Sequence, residues 1–489
     1  YSIVMNQDLN GARWTKFLFF ICIFVTIGSM LPAGYCFGVI NAPAEFIKKW
    51  SAQSLNSHYS VQLSRHETTL LWAGIVCSFQ IGGIIGALCA AALNSRFGRV
   101  GVLRITSVMY TVSCLLQALC RFQIDSVEML VLGRLIGGMS AAIVYATHPM
   151  YLVEIAPREL SGSVGVFTGI GVTGGIVVGQ LFSFDFMLGT NEHWHWALSA
   201  FMLFVILGAL ISCFLPESPR YLIAQGRLEA AKSALKHLRS DEQSVDKELA
   251  AMVAEAGAAE TSMSTKDVLW NAKLRMPIIL VLSFHIVHQA SGIGAIWYYS
   301  VGTFTEAGFN NATALWLNFG LGVLNFLTAL AGILFVDKCQ RRILLMCSCL
   351  LSALFMLLLS FGLYFTVSRF RADYQWLSYI CIAFLALFIT AFNTALGTMP
   401  YFLGSELLVV PPRAAIMALG SLSTWVSNFT SNLLFPILND IVGPFAFLLF
   451  TVICLYGFLI TYRYLPETKN RKPEEVAPLM ENGFKSKIK

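Results

Sequence analysis

The sequence contains little charge. Only 12% of its 489 residues are Asp, Glu, Lys or Arg, whereas soluble globular proteins carry about 25%. A chain of this length folded in water would form about three domains, each of which needs a charged surface. The composition therefore excludes an ordinary soluble enzyme, a disordered protein and a nucleic-acid-binding protein.

The chain also lacks the residue spacing of disulfide frameworks and metal sites. Its twelve cysteines include several inside apolar runs, such as Cys22, Cys77 and Cys454, and we interpret them as small hydrophobic residues. His285 and His288 are three residues apart on one predicted helix face, but no further ligand is evident. The sequence therefore predicts no metal site and no cofactor.

Long apolar runs take the place of the missing charge. Hydrophobic residues make up 56% of the chain, and a helix needs about 20 of them to cross a hydrocarbon core about 30 Å thick. Twelve segments of that order carry few or no charges. They are residues 15–41, 68–93, 101–120, 127–150, 161–184, 194–215, 276–304, 313–336, 343–367, 376–404, 414–438 and 441–463. The sequence predicts an all-α membrane protein with twelve transmembrane helices.

The basic residues indicate which side of the membrane each loop faces. An even number of spans puts both termini on one side, and placing them inside puts 26 of the 33 Lys and Arg residues there as well. Cytosolic loops carry such an excess of Lys and Arg. We therefore expect cytosolic termini and an external loop at 42–67. In the charged inner loop 216–275, apolar residues recur at three and four over 228–238, which predicts an amphipathic helix.

The two halves of the chain carry related motifs at their inner loops. The matching pairs are Pro216-Glu217-Ser218-Pro219-Arg220 with Pro466-Glu467-Thr468-Lys469, and Arg96-Phe97-Gly98-Arg99 with Asp337-Lys338-Cys339-Gln340-Arg341-Arg342. Duplicated six-span units are typical of transporters that bind substrate near the midplane, between the halves. The predicted division is an N-terminal six-helix half (1–215), a cytosolic helical linker (216–275), a C-terminal six-helix half (276–464) and a cytosolic tail (465–489).

Further motifs occur in order along the predicted spans. They are Gly38-Val39-Ile40-Asn41-Ala42-Pro43, Gly133-Arg134, Pro149-Met150-Tyr151 with Glu154, Gln289-Ala290-Ser291-Gly292-Ile293, Trp297-Tyr298-Tyr299-Ser300 and Trp425-Val426-Ser427-Asn428-Phe429. With the loop motifs, they resemble those of the sugar porters of the major facilitator superfamily, and among these the animal-type facilitative glucose transporters. The resemblance covers about residues 15–470. It implies the major facilitator fold, and uniport of a hexose such as glucose across the plasma membrane by alternating access.

The inner-face motifs would bring charged side chains together at the cytosolic end of each half. The expected clusters are Arg96, Arg99, Glu154, Arg158 and Glu217 in the first half, and Arg341, Arg342, Glu406, Arg413 and Glu467 in the second. Ion pairs of this kind would close an inner gate in one state and break in the other. The alternative is that they only anchor helices at the headgroups. Arg134 lies within a span, where a charge is costly, and we expect it to pair with Glu154 at the inner gate.

A sugar is uncharged and covered in hydroxyls, so its site needs amides and an aromatic face. The resemblance implies sugar contacts by Gln289, Asn325 and Trp425, with Phe392 beside them and an outer gate at Tyr298 and Tyr299. The residues alone leave two interpretations open for an intramembrane amide such as Asn325. It can bond one helix to another, or it can bind the ligand; the resemblance favours the ligand.

Several positions depart from the family pattern. Gly169, Gly294 and Thr424 stand where the family has amides. The further candidate substrate positions His288, Asn393 and Tyr401 replace a Gln, a Glu and a Trp. Loss of three net hydrogen bonds, each of about 0.5–1.5 kcal/mol, would weaken hexose affinity by about one to three decades; alternatively, water or a larger substrate fills the space. His288 could bond a hydroxyl or confer pH dependence, because the ordinary pKa of histidine is near 6.5.

Other functions compete with uniport. Proton symporters of the resembling family carry an Asp in the first span, where this chain reads Gly34-Tyr35-Cys36-Phe37 and has no carboxylate. A non-transporting sugar sensor usually signals through a long cytosolic tail, and residues 465–489 are short. An enzyme is not indicated, because the spans contain no nucleophile with a base and no carboxylate pair. The triplet Asn311-Ala312-Thr313 is a glycosylation sequon in a predicted outer loop.

Overall fold

The computed structural model describes residues 14–122, 125–157, 160–239, 242–258, 263, 265–336, 339–367, 375–469, 471, 473–481 and 483. Every regular element within these ranges is helical. Ten helices in the described residues are long and apolar enough to cross a membrane, and two of them, Arg65–Leu119 and Pro412–Tyr464, each contain two of the predicted spans. The prediction of an all-α fold with twelve spans is therefore confirmed.

The observed spans follow the predicted order. The first six are Lys16–Gly38, then Arg65–Leu119 as the second and third, Val127–Ile155, Ser161–Phe182, and Trp194–Ser199 continued by Met202–Ser212. The last six are Arg275–Ala290 continued by Ile293–Glu306, Asn311–Val336, Arg341–Val367, Gln375–Thr394 continued by Met399–Leu407, Val410–Val442, and Phe447–Tyr464. Several helices extend past the predicted ends of the apolar runs, because polar residues continue the helix beyond the hydrocarbon core.

Two glycines with positive φ interrupt these helices. Gly98, with φ of 75°, separates the second span from the third, and a Cβ there would lie 2.5 Å from Oε2 of Glu217. Gly292, with φ of 101°, breaks the seventh span near its middle, where a Cβ would lie 2.7 Å from the Phe450 ring. Only glycine fits both the backbone conformation and the space at these two positions. A break inside a span frees backbone groups, which is tolerated where the chain lines a cavity.

The linker forms a small helical unit at one end of the spans, the end predicted to be cytosolic. Its helices are Pro219–Ala224, Leu228–Leu238, Glu242–Ala258 and Thr265–Trp270. The predicted amphipathic helix at 228–238 is confirmed, with Ala231, Ala234, Leu235 and Leu238 buried. Leu238 joins an apolar cluster of the first half, and Arg239 donates to the carbonyl of Ile155 at 2.8 Å. The linker is therefore docked on the first half.

The loop 42–67, which is predicted to be external, is helical over Ala44–Tyr59. This helix is fixed to the first half because Trp50 and Ser54 both donate hydrogen bonds to Asp125, between the third and fourth spans. After the twelfth span, Val476 and Met480 pack into the main apolar core. The spans thus form the body of the molecule, with smaller helices attached on both sides.

Candidate functional site

Four amide side chains meet between the halves, beside the break in the seventh span. We call Gln80, Gln289, Asn428 and Asn432 the amide cluster. Asn428 Nδ2 donates to Oε1 of Gln289 at 3.1 Å, and its Oδ1 accepts from Gln80 Nε2 at 3.4 Å and from Asn432 Nδ2. Gln80 belongs to the second span, whereas the other three lie on the seventh and eleventh. The cluster therefore joins the first half to the second.

Two oxygens of the amide cluster have no partner. Gln80 and Asn432 are completely buried, and neither Gln80 Oε1 nor Asn432 Oδ1 has a hydrogen-bond partner among the described residues. Gln289 is half-buried. Sequence reasoning identified Gln289 but missed Gln80 and Asn432. Their signal was present, because both are uncharged polar residues inside apolar spans.

Trp425 forms an aromatic wall between the halves. Its ring stacks on Phe37 with centroids 6.5 Å apart and packs against Phe79 at 6.1 Å and edge-on to Tyr145 at 6.0 Å. All three partners belong to the first half. Gly83 makes room for the indole, since a Cβ there would lie 2.0 Å from the ring. In this state, therefore, the ring of the predicted sugar-contacting tryptophan packs against residues of the first half.

The second half brings together three further predicted positions. The His288 ring lies 5.3 Å from the rings of Phe392 and Tyr401. His285 is bonded through Nδ1 to the hydroxyl of Thr424 at 2.8 Å. Thr424, where the resembling family has an amide, thus has a partner inside its own half. His288, Phe392 and Tyr401 form one continuous side of the candidate site.

Asn325 and Asn393 are bonded to each other. Asn393 Nδ2 donates to Asn325 Oδ1 at 2.9 Å and to Thr328 Oγ1 at 2.8 Å, which links the tenth span to the eighth. Both asparagines are 4% exposed. In this state the Asn325 side-chain oxygen bonds one helix to another, which is one of the two interpretations that the sequence left open. Ligand contact by Asn325 remains a prediction.

The glycines that replace family amides have different surroundings. A Cβ at Gly169 would meet no atom within 4 Å, so that position faces open space. A Cβ at Gly294 would lie 3.1 Å from Asn432 Oδ1 and 3.3 Å from its Nδ2. The space in front of Gly294 is therefore occupied by the Asn432 amide.

A second set of polar residues joins the halves on the predicted outer side. We call Asn41, Gln180, Ser300 and Asn318 the outer cluster. Asn41 Nδ2 donates to Ser300 Oγ at 2.8 Å, while Ser300 Oγ and Gln180 Nε2 donate to Asn318 Oδ1 at 2.9 and 3.1 Å. All four are buried. Their bonds hold the fifth span and the segment after the first span against the seventh and eighth, so the halves are in contact on the predicted outer side.

The two predicted gate tyrosines lie between the outer cluster and the amide cluster. Tyr298 is fully buried, and its ring is 6.1 Å from that of Phe37 in the first half. The Tyr299 hydroxyl donates to the carbonyl of Asn432 at 2.9 Å. Tyr298 therefore contacts the opposite half, whereas Tyr299 links the seventh span to the eleventh.

The predicted pairing of Arg134 with Glu154 is wrong. Both lie on the helix Val127–Ile155, twenty residues apart, which is about 30 Å at a rise of 1.5 Å per residue. Arg134 donates to the carbonyl of Cys36 at 3.1 Å, with its guanidinium 4.7 Å from the Phe79 ring centroid. Arg134 thus belongs to the outer part of the interface.

The charged clusters at the predicted inner side have the same arrangement of partners in both halves. Arg99 pairs with Glu154 at 2.7 Å, and the N–H groups of Arg99 and Val100 donate to the carboxylate of Glu217 at 2.9 and 3.1 Å. The corresponding contacts in the second half are Arg341 with Glu406 at 3.5 Å, and the N–H groups of Arg341 and Arg342 with Glu467 at 2.9 and 3.2 Å. Ser218 and Thr468 donate to Glu154 and Glu406. This repetition supports a duplicated six-span unit.

Three predicted members of these clusters make other contacts. Arg342 Nη2 and Arg413 Nη2 donate to the backbone carbonyls of Tyr462 and Leu408, at 2.6 and 2.7 Å. Arg96 is exposed, with its guanidinium 5.3 Å from the Phe97 ring centroid. The expectation of carboxylate partners is corrected here for the guanidinium groups of Arg342 and Arg413, which bond backbone carbonyls near the ends of helices. Arg158 lies outside the described residues.

The two sequons differ in accessibility. Asn311 is exposed at the first residue of the helix Asn311–Val336. Asn428 also begins a sequon, but it is buried in the amide cluster. Glycosylation at Asn311 stays a prediction.

Comparison with known proteins gives concordant matches over most of the chain. The family model described as "Sugar (and other) transporter" matches residues 21–480. The facilitated glucose transporter member 3 of solute carrier family 2 from Ovis aries is 33% identical over 480 residues, covering 97% of this chain and 94% of that protein. The same member from Homo sapiens is 32% identical over 484 residues, with the same coverage.

Solved structures of bacterial transporters share the fold. The proton:xylose symporter XylE bound to 6-bromo-6-deoxy-D-glucose superposes with a TM-score of 0.78 at 21% identity, over 95% of this chain and 99% of that one. The inward-open conformation of the xylose transporter XylE from E. coli also gives 0.78 at 21% identity, over 94% and 99%.

Proposed function

Because the chain belongs to the sugar transporter family of the major facilitator superfamily, we propose that it moves a hexose such as glucose down its gradient by alternating access. It is an integral, multi-pass membrane protein and not an enzyme. The observation that carries the choice of substrate class is the amide cluster, at the broken seventh span and between the halves. Amides donate and accept hydrogen bonds without charge, as a polyol requires.

The sugar site is formed by the cavity-facing residues of the second half. Gln289 supplies an amide, while His288, Phe392 and Tyr401 provide a polar and aromatic side. Trp425 covers the apolar face of the sugar ring. Gly169 leaves space on the side of the first half, which water or a bulkier substituent of the sugar fills. Asn325 and Asn393 hold the eighth and tenth spans in register behind the site, and the Asn325 Nδ2 group is the donor offered to the ligand.

Transport requires the outer side to open and the inner side to close. Opening the outer side breaks the bonds of the outer cluster, which are worth about 0.5–1.5 kcal/mol each, and withdraws Tyr298 from Phe37. The total free-energy cost of opening the outer side is about a few kcal/mol, which substrate binding to the open state can offset. The inner clusters, whose described ion pairs lie within one half each, fix the helix ends that come together at the inner gate.

Reconstitution tests this proposal directly. Purified protein in liposomes should accelerate the uptake of radiolabelled D-glucose, or of another hexose from a panel, above the rate of L-glucose, and it should show counterflow. Uptake should not become uphill when an acid exterior is imposed, because the first span contains no carboxylate. Proton-driven accumulation would establish symport instead. Specific binding without flux would indicate a sensor.

We place both termini in the cytosol of a cell whose plasma membrane holds the protein. The support is the distribution of Lys and Arg, most of which lie in loops of one side. Protease added to intact cells should spare the loop 216–275, and an endoglycosidase should shift the protein through a glycan on Asn311. Cleavage of that loop from outside would reverse the assigned topology.

A further inference from the structure

We infer that Gln80 and Asn432 are specificity-determining residues of the sugar site, each accepting a hydrogen bond from a substrate hydroxyl when the outer side is open. The inference rests on the proposed function, and it adds residues from two spans to the site. Neither residue was indicated by the family resemblance.

The first observation is the pair of buried oxygens without partners. Native proteins leave few buried polar atoms unpaired, and each one needs an explanation. Gln80 Oε1 and Asn432 Oδ1 lack partners among the described residues, although their own NH₂ groups both donate to Asn428. The cluster therefore contains two buried acceptor oxygens that no described donor fills. A sugar hydroxyl is a donor that would satisfy such an acceptor.

The second observation is the exchange of space between Gly294 and Asn432. The seventh span has glycine where the resembling family has an asparagine, and a Cβ at Gly294 would lie 3.1 Å from Asn432 Oδ1. The Asn432 amide thus occupies the volume that a side chain at 294 would fill. The amide beside position 294 is therefore supplied by Asn432 of the eleventh span instead of by a residue of the seventh span.

The third observation is that Gln80 reaches the cluster from the first half. Its bond to Asn428, at 3.4 Å, crosses between the second and eleventh spans. When the outer side opens, these spans separate and the bond breaks. Gln80 and Asn428 then face the cavity, where hydroxyls can take the place of the lost partner. Gln80 so provides the first half with the amide that Gly169 lacks.

This exchange of partners has a directional consequence. With the outer side closed, the amides bond one another and their free oxygens are inaccessible. With the outer side open, they are available to sugar. Gln80 and Asn432 should therefore contribute more to binding from the outside than to binding from the cytosol.

Paired substitutions and monodeoxy sugars test the assignment. Gln80→Ala and Asn432→Ala should each raise the KM for influx by about 5- to 150-fold, the effect of one hydrogen bond lost in a desolvated site, and should raise the KM for efflux less. Competition by a panel of monodeoxyhexoses should reveal one critical analogue for each variant. The wild type should bind this analogue more weakly than it binds the parent hexose, and the substitution should not weaken the binding of the analogue any further. The analogue identifies the hydroxyl that each oxygen binds.

Gln117→Ala is the matched control. Gln117 is also a buried amide, but it donates to Ser113 within the third span. Removal of the Gln117 amide can lower the amount of folded protein. It should leave the KM for influx and for efflux unchanged, as well as the affinity of each monodeoxyhexose relative to that of the parent hexose. Losses at Gln80 or Asn432 that are equal for all analogues, or an unchanged KM for influx, would overturn the inference.

A positional exchange guards against variants that simply misfold. Gly294→Asn alone would crowd Asn432, whereas Gly294→Asn combined with Asn432→Gly moves the amide back to the seventh span. The double variant should recover most of the affinity lost in Asn432→Gly. Absence of recovery, with normal surface abundance, would contradict the role of Asn432. Absence of any hexose transport by the wild type would overturn the proposed function as well. If the wild type transports hexose, but the affinity lost by substitution and the affinity lost by removing a hydroxyl add up for every analogue, only this inference is overturned.

Discussion

At the scale of single residues, two amides that both lie inside apolar spans have different partners. Gln289 is half-buried beside the break in the seventh span and accepts from Asn428 in its own half. Asn325 is 4% exposed and accepts from Asn393 on the tenth span. Removing Gln289 therefore changes the amide cluster, whereas removing Asn325 also detaches one span from another.

This difference predicts separable effects of two alanine substitutions. Gln289→Ala should weaken sugar affinity by about 5- to 150-fold, corresponding to about 1–3 kcal/mol, because a hydroxyl and the Asn428 amide both lose a partner. Its surface abundance should stay close to that of the wild type. Asn325→Ala should lower the thermal midpoint as well as the affinity. The measurements are equilibrium binding and thermal unfolding of purified protein.

Equal thermal midpoints for the two variants would contradict the structural role of Asn325. Ser360→Ala is a useful control, because that hydroxyl bonds the carbonyl of Pro444 away from the site. It should affect the midpoint without affecting affinity.

Part of the site was predictable residue by residue, and part was not. Gln289, His288 and Trp425 were identified because the motifs around them resemble a known family. Gln80 was missed because its partner Asn428 lies on another span. Asn432 was missed because its position opposite Gly294 of the seventh span is not revealed by spacing along the chain. Arg134 was assigned to the wrong gate for the same reason, since its acceptor is a backbone carbonyl of the first span.

At the scale of elements, two glutamates bind the N-termini of helices. Glu217 accepts the N–H groups of Arg99 and Val100 at the start of the third span. Glu467 accepts those of Arg341 and Arg342 at the start of the ninth. A carboxylate at a helix N-terminus is stabilised by unpaired N–H groups and by the helix dipole. Each glutamate so connects the end of one span to the start of another.

Neutral replacements should weaken these connections. Glu217→Gln and Glu467→Gln should each destabilise the protein by about 1.5–3 kcal/mol, the range for hydrogen bonds to a charged group, because an amide oxygen carries less negative charge. Transport should slow in both variants with little change in sugar KM. Thermal unfolding and uptake at saturating sugar measure these two effects. Glu192→Gln, at an exposed outer position, should change neither; a similar loss there would contradict the assignment.

The elements themselves were largely predictable from hydropathy. Apolar runs of about 20 residues are a physical requirement of the bilayer, so all twelve spans and their order followed from the sequence. The break at Gly292 did not follow, because a glycine within a span is more often a packing residue. The helix Ala44–Tyr59 in the loop after the first span was also missed, since it is fixed by Asp125 from a distant loop.

At the scale of the whole molecule, the contacts between halves define the conformational state. The outer cluster, Tyr298 and Trp425 all join the halves in the middle and outer parts of the interface. At the end of the spans that is predicted to be external, His66 Nδ1 of the second span lies 3.7 Å from the Asp440 carboxylate of the eleventh. Alternating access requires these contacts to break in every cycle. A covalent bond between the same positions should therefore stop transport.

A reducible cross-link provides this test. His66→Cys with Asp440→Cys, treated on intact cells with an impermeant disulfide-containing bifunctional reagent, should reduce hexose uptake to the background of untransfected cells. Reduction should restore it. The matched control is Glu45→Cys with Lys48→Cys, whose native side chains pair at 2.8 Å on one external helix; linking them leaves the halves free to separate, so uptake should persist. Full uptake with the first pair completely cross-linked would mean that the second and eleventh spans do not part at their outer ends. The substrate would then have to reach the amide cluster by a path that leaves this contact closed.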